Sequence, residues 1–237
     1  MPSVAAVLPA LDEAASLPSV LAALRSGGDG LRIVVADNGS TDGTGDVARA
    51  HGAEVVWAPR RGYGSAVLAG LHVLRSQPPD LVLVVDADLA DPVDRWPELV
   101  APIAEDRADL VLSDRTTLAE PGALTPVQRF GNALATRLIA GVTGHRYADM
   151  GPFRALRWAS LQRLAMEDPT WGWNVEMQLK AVRAGLRVLE VPMPYRRRER
   201  GASKVSGSLQ GAARAGVRIL WAVQHYARAP LPPSRRL

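Results

Sequence analysis

Two apolar runs, Leu31–Asp37 (LRIVVAD) and Leu81–Asp86 (LVLVVD), show almost no alternation with polar residues. A strand with one wet face alternates, whereas a strand apolar at successive positions is covered on both faces. Shorter runs at Ser3–Pro9 and Ala53–Trp57 complete a set of four. Helical patterns separate them, at Leu11–Arg25, Thr41–His51 and Ser65–Arg75. The first carries acids near its start and is followed by Gly27-Gly28, a stop signal. Repeated β-α units require right-handed crossovers, so the expected fold is α/β, a doubly wound and mostly parallel sheet flanked by helices. Ligands of such sheets lie at the carboxyl ends of the strands.

The second half is less regular. Strands are expected at Leu110–Ser113 and Leu186–Val191, and helices at Val127–Thr143, Asn174–Ala184 and Gly207–Ala227. The chain reads as a single domain over 1–229, divided into halves at 1–92 and 93–229, with a loose tail at 230–237. No cysteine is present, which excludes disulfides and thiolate-bound zinc and fits a reducing compartment. No run reaches the roughly 18 apolar residues of a spanning helix. The expected location is therefore cytoplasmic, with any membrane contact peripheral. From Pro194 to Leu237 there are ten Arg or Lys residues against one acid, Glu199, which suits a phosphate-bearing partner or an anionic surface.

The polar loops that follow the four strands carry the chemistry. Asp86-Ala87-Asp88 places two carboxylates at the end of a fully apolar strand. Hard oxygen ligands in this spacing suit Mg²⁺ or Mn²⁺ shared with a diphosphate. An acidic turn in which Asp88 or Asp91 caps the next helix explains the same residues. Asp37-Asn38-Gly39-Ser40-Thr41 ends the second strand, with Asp37 placed for a base or ribose and Ser40 or Thr41 for a helix cap. The first strand ends in Pro9-Ala10-Leu11-Asp12-Glu13. Arg60-Arg61-Gly62-Tyr63-Gly64 follows the third, with arginines for phosphate and glycines for close backbone approach.

In this order the segments PALDE, ADNGSTDGT, RRGYGSAVLAG and VVDADLADP resemble the nucleotide-sugar half of inverting family 2 glycosyltransferases of the GT-A fold. The second half adds Asp149-Met150-Gly151-Pro152-Phe153-Arg154, Trp173-Asn174-Val175-Glu176 with Lys180, and Arg198-Glu199-Arg200-Gly201-Ala202-Ser203-Lys204. The last is similar to a loop of dolichol- and polyprenyl-phosphate mannose synthases. The resemblance runs from Pro2 to Trp221. It implies nucleotide contacts at Pro9, Asp12, Glu13, Asp37, Arg61, Gly62, Ala87, Arg198, Ser203 and Lys204. It also implies a metal–diphosphate site at Asp86 and Asp88, with Mg²⁺ or Mn²⁺ as cofactor. Arg115 and Arg129 resemble arginines used for an acceptor phosphate. The family's usual Asn-Glu is Asp12-Glu13 here, its Asp-Asp-Gly-Ser is Asp37-Asn38-Gly39-Ser40, and a metal-holding Gln falls at Ala90.

The implied reaction is transfer from a UDP- or GDP-hexose with inversion. A hydroxyl acceptor needs a general base, for which Asp149 and Glu176 are the candidates. A phosphate acceptor needs cationic clamps instead, and the Arg115, Arg129 and Arg198 matches favour it. Glu176 with Lys180 four residues on also reads as an ordinary ion pair. The expected partners are a nucleotide-sugar and either a polyprenyl phosphate or a small phosphorylated acceptor, with no nucleic acid. A soluble acceptor, a nucleotidyltransferase and a non-catalytic nucleotide-sugar-binding module are the competing readings. On a helical wheel, Gln210, Arg214, Arg218, Trp221, His225 and Arg228 share one face of the last helix. Leu209, Ala212, Ile219, Leu220 and Val223 lie opposite; a basic face with an interfacial Trp suits an anionic membrane, and a surface helix packed on the sheet, its Trp covered by Arg side chains, explains the same residues.

Overall fold

The structure, a computed structural model, describes residues 2–197 and, as a helix, 209–228, with side chains from 216 onward in that helix. Seven strands form one sheet: β1 (Val4–Ala10), β2 (Arg32–Asp37), β3 (Glu54–Trp57), β4 (Leu81–Val84), β5 (Leu110–Asp114), β6 (Arg154–Arg157) and β7 (Val188–Pro192). Their order is β3-β2-β1-β4-β6-β5-β7. The four strands of the first half are mutually parallel, β5 and β7 are parallel to each other, and β6 runs antiparallel between β4 and β5. The chain leaves β1 in one direction for β2 and β3, then crosses back to β4 on the other side of β1. The carboxyl ends of β1 and β4 therefore flank the switch point, where open α/β sheets hold their ligands.

Helices cover both faces, as the uninterrupted apolar runs require. On one face, α1 (Leu17–Ser26), α2 (Thr44–Ala50) and α4 (Trp96–Ala104) bury Leu21, Leu24, Leu99 and Ile103 against Leu8, Val35 and Leu83. On the other, α3 (Tyr63–Leu74), α5 (Pro126–Thr143), α6 (Trp158–Leu164), α7 (Gly172–Arg183) and α8 (Leu209–Arg228) pack on Val7, Val34, Val84 and Leu112.

Several elements depart from the sequence expectation. α1 starts at Leu17 rather than Leu11, because Asp12 is left-handed (φ 51°) and Pro18 stands in the first turn. α4 has prolines at Pro97 and Pro102, which mask its helical pattern. β6 is four residues long with an arginine at each end, so it carries no strand-like period. Arg154 is nonetheless fully buried, and its guanidinium donates to the carbonyls of Gly151 and Pro152. On α8 the geometry is that of a packed helix, with the Arg218 guanidinium 3.9 Å from the Trp221 ring centroid. Arg218 turns inward and donates to Asp168 Oδ2 at 2.6 Å, whereas Leu220, expected on the apolar side, is exposed.

Candidate active site

A cavity of about 670 Å³ opens at the switch point. Its floor is made by the strand ends and the loops that follow, with Pro9 at the end of β1 and Glu13 after it, Asn38 after β2, Arg61 and Gly62 before α3, and Asp86, Ala87 and Asp88 after β4. The far wall belongs to the second half of the chain and includes Arg115, Asn132, Trp171, Tyr195 and Arg218.

The floor is held by hydrogen bonds between successive loops. Ser16 Oγ donates to the carbonyl of Ala87 at 2.7 Å, tying the acidic turn to the start of α1. Asp88 Oδ1 accepts the amide of Ala90 at 3.0 Å, which orients the carboxylate within its own turn. Asn38 joins two loops: its Nδ2 donates to Arg60 O and its Oδ1 accepts the amide of Gly62, both at 2.7 Å. The change from the family's Asp to Asn38 thus supplies a donor as well as an acceptor. Gly62 has φ 141°, and a Cβ there would collide with the carbonyl of Pro169. Gly62→Ala is expected to lower stability by at least about 2 kcal/mol, a drop of roughly 4–8 °C in Tm. Thermal melts check it, and an unchanged Tm would contradict this packing.

Not every expected nucleotide contact reaches the cavity. Asp12 and Asp37 are absent from its lining. Asp12 Oδ1 accepts the amide of Thr41 at 2.8 Å, and Asp37 Oδ1 accepts that of Ser40 at 2.8 Å, so both brace the loops after β1 and β2. Arg129 is exposed on α5 and also stays outside. Arg198, Ser203 and Lys204 lie outside the described residues.

The two acids of the second half are both engaged. Asp149, 1% exposed, accepts Nε of Arg115 at 2.7 Å, its NH2 at 3.0 Å and its backbone amide at 3.0 Å. The backbone around Asp149 is fixed from three elements: Asn132 Oδ1 accepts Met150 N, Gln178 Nε2 donates to Asp149 O, and Glu190 accepts the amides of Ala148 and Asp149. Burial works against the Arg115 charge, but the paired carboxylate outweighs it and holds the guanidinium ionised. Glu176 is fully buried outside the cavity. It accepts Lys180 Nζ at 2.5 Å and the amides of Glu167 and Asp168. The ion-pair reading of its spacing describes this geometry, although the pair is buried rather than on the surface.

Two further features, Tyr195 and Asp168, have no signal in the sequence, and Asp91 does not make the helix cap expected of it. Tyr195 lines the cavity, with the Arg115 guanidinium 4.9 Å from its ring centroid. Asp168, fully buried, accepts from Arg218 and Thr170 and so anchors α8 to the loop ahead of α7. Asp91 is 3% exposed, and neither of its oxygens has a hydrogen-bond partner among the described residues. Burial pushes its carboxyl well above the usual range, and Arg115 offsets this only in part. Nothing in the spacing pointed to Asp168 or Tyr195.

The chain is 43% identical over 213 residues to an uncharacterized glycosyltransferase of Mycobacterium tuberculosis, covering 89% of this chain and 93% of that protein. It is 29% identical over 221 residues to an undecaprenyl-phosphate mannosyltransferase of Micrococcus luteus, covering 87% and 89%. Among solved structures it is similar to glucosyl-3-phosphoglycerate synthase of Mycobacterium tuberculosis in complex with Mn²⁺, uridine diphosphate and glucosyl-3-phosphoglycerate. That match has a TM-score of 0.71 at 25% identity and covers 98% of this chain and 82% of that one. The mostly parallel seven-stranded sheet matches this GT-A neighbour. The family model for glycosyl transferase family 2 matches residues 5–161, which include both aspartates of the acidic triplet and the Arg115–Asp149 pair, and the chain belongs to that family.

Proposed function

We propose that the chain transfers a hexose from a nucleotide-sugar to a phosphate-bearing acceptor, with inversion at the anomeric carbon. One observation carries this reading. The acceptor side of the cavity presents Arg115 and Arg218, while both acids suited to general-base work, Asp149 and Glu176, are buried in ion pairs. A hydroxyl acceptor needs a base. A phosphate is already an anion and needs cations to place it, which this wall supplies.

The donor would lie over the strand ends, its diphosphate near Asp86 and Asp88. These carboxylates fit Mg²⁺ or Mn²⁺ through hard oxygen ligands. Two carboxylates leave most of such a cation's coordination sphere open, which diphosphate oxygens and water would fill. When bound, the cation neutralises charge on the departing nucleoside diphosphate. Arg61 is the cationic side chain on the donor side of the lining. The Asp149 carboxylate occupies Nε and NH2 of Arg115, which leaves NH1 to meet the acceptor phosphate. Asp149 is in this reading a positioning residue. Orientation of two anions in one cavity supplies much of the rate.

The acceptor we favour is a polyprenyl phosphate, because a relative aligned over most of both chains is named for undecaprenyl phosphate. A small phosphorylated acid is the second reading, supported by the bound product named for the similar solved structure. A thermal-shift panel of UDP-, GDP- and dTDP-sugars with and without Mn²⁺ tests the donor site. At about 100 times Kd the bound nucleotide raises Tm by roughly 5–10 °C. A metal-dependent shift with one nucleotide is expected, and no shift with any of them would sink the proposal.

A further inference from the structure

Helices α5 and α8 border the outer wall of the cavity. α5 contributes Gln128 and Gly131 to the lining, and α8 contributes Arg218 and Ile219. The two pack together, and a Cβ on Gly131 would stand 4.0 Å from Ile219 Cδ1. Neither helix contains an acid. Across 18 residues of α5 and 20 of α8 there is no Asp or Glu, whereas Arg129, Arg137 and Arg228 are exposed.

The outward side of this pair also carries large exposed apolar side chains. Phe130 is 69% exposed, Val217 68%, Leu220 49% and Trp221 42%. The surface continues to the cavity lip. The Arg218 guanidinium sits 3.9 Å from the Trp221 ring centroid and donates to Thr170 Oγ1 at 2.8 Å, next to the exposed Trp171. Large apolar side chains gathered beside a cavity mouth mark an interaction surface. The charge pattern selects its occupant. A second copy of the chain would set arginines against arginines, whereas anionic headgroups complement them.

We propose that this face of α5 and α8 docks on an anionic lipid leaflet and presents the cavity mouth to it. Phe130, Val217 and Leu220 enter the acyl boundary, while Trp221 lies at headgroup depth. The contact lies in the plane of the leaflet, since no helix among the described residues is long and apolar enough to cross one. The proposal rests on the lipid-phosphate reading above, because a leaflet at the mouth is useful only when the acceptor resides there. It also moves the membrane contact from the arginine side of α8 to the exposed apolar ridge beside it.

Co-sedimentation of the full chain with vesicles tests this. Wild type is expected to bind phosphatidylcholine–phosphatidylglycerol vesicles, to bind phosphatidylcholine alone more weakly, and to weaken in high salt. Phe130→Ser with Leu220→Ser is expected to lower vesicle affinity by roughly tenfold or more, with the nucleotide thermal shift retained. Equal binding by wild type and the double variant overturns the proposal. So does a wild type that ignores anionic vesicles, or a double variant whose one change is conversion of a dimer to a monomer in sedimentation velocity. Transfer to a water-soluble phosphate acceptor without vesicle binding removes the docking surface and leaves the transferase reading. Vesicle binding without any nucleotide shift does the reverse.

Discussion

Asp88→Asn is expected to lower sugar transfer by at least about 100-fold while leaving the fold intact, the size of effect seen when one stabiliser of developing charge is lost. The substitution is close to isosteric. An Asn Oδ1 can still accept the Ala90 amide that Asp88 holds at 3.0 Å, so the turn after β4 keeps its geometry. What is lost is charge. Asp88 is 3% exposed at the cavity floor, where a formal charge acts through a medium less screening than water. Turnover should therefore fall with little change in Tm. A variant with near wild-type kcat would remove the acidic triplet from the mechanism.

The second large effect concerns the Arg115–Asp149 pair. Asp149→Asn leaves a guanidinium that is only 12% exposed beside a neutral amide, and the amide's NH₂ must face one of the donors the carboxylate accepted. Breaking a buried pair from one side costs about 3–5 kcal/mol, so Tm should fall by roughly 10 °C. Replacing both partners, Arg115→Met with Asp149→Leu, should restore part of that stability, because the desolvation cost of the charges disappears with them while the Arg115 amide loses the carboxylate that accepts it. It should not restore acceptor binding. Kinetics on the double variant are expected to show a raised KM for acceptor and a donor KM close to wild type. A general base would behave differently. Were Asp149 one, Asp149→Asn would lose kcat at saturating acceptor with the acceptor KM near wild type, and that outcome would overturn the positioning role.

How much of this was legible in the chain depends on the range of the interactions. The strands before the switch point stand out because burial on both faces forces apolar residues at successive positions, as in Ile33–Ala36 and Leu81–Val85. Their polar ends follow, so Pro9, Glu13, Arg61, Gly62, Asp86 and Asp88 meet in one cavity. Asp12 and Asp37 look identical to ligand contacts in sequence. Both stand outside the cavity lining, and each uses Oδ1 to accept an amide of the loop after β2. The Arg115–Asp149 pair joins residues 34 apart across α5, a distance that no periodicity encodes. Glu176 and Lys180 are four apart on one helix, so their pairing was readable, but their burial was not. β6 was hidden because a buried arginine satisfied by backbone carbonyls has the sequence of a surface residue.

The central claim is that Asp86 and Asp88 couple a divalent cation to the leaving diphosphate. Calorimetric titration of the nucleoside diphosphate picked out by the donor panel tests it most directly, in Mn²⁺ and in EDTA, for wild type and Asp88→Asn side by side. Wild type is expected to bind at least about tenfold more tightly in Mn²⁺ than in EDTA, a difference of about 1.4 kcal/mol, and Asp88→Asn to bind equally in both. Undiminished Mn²⁺ dependence in Asp88→Asn, or none in wild type, would contradict the account.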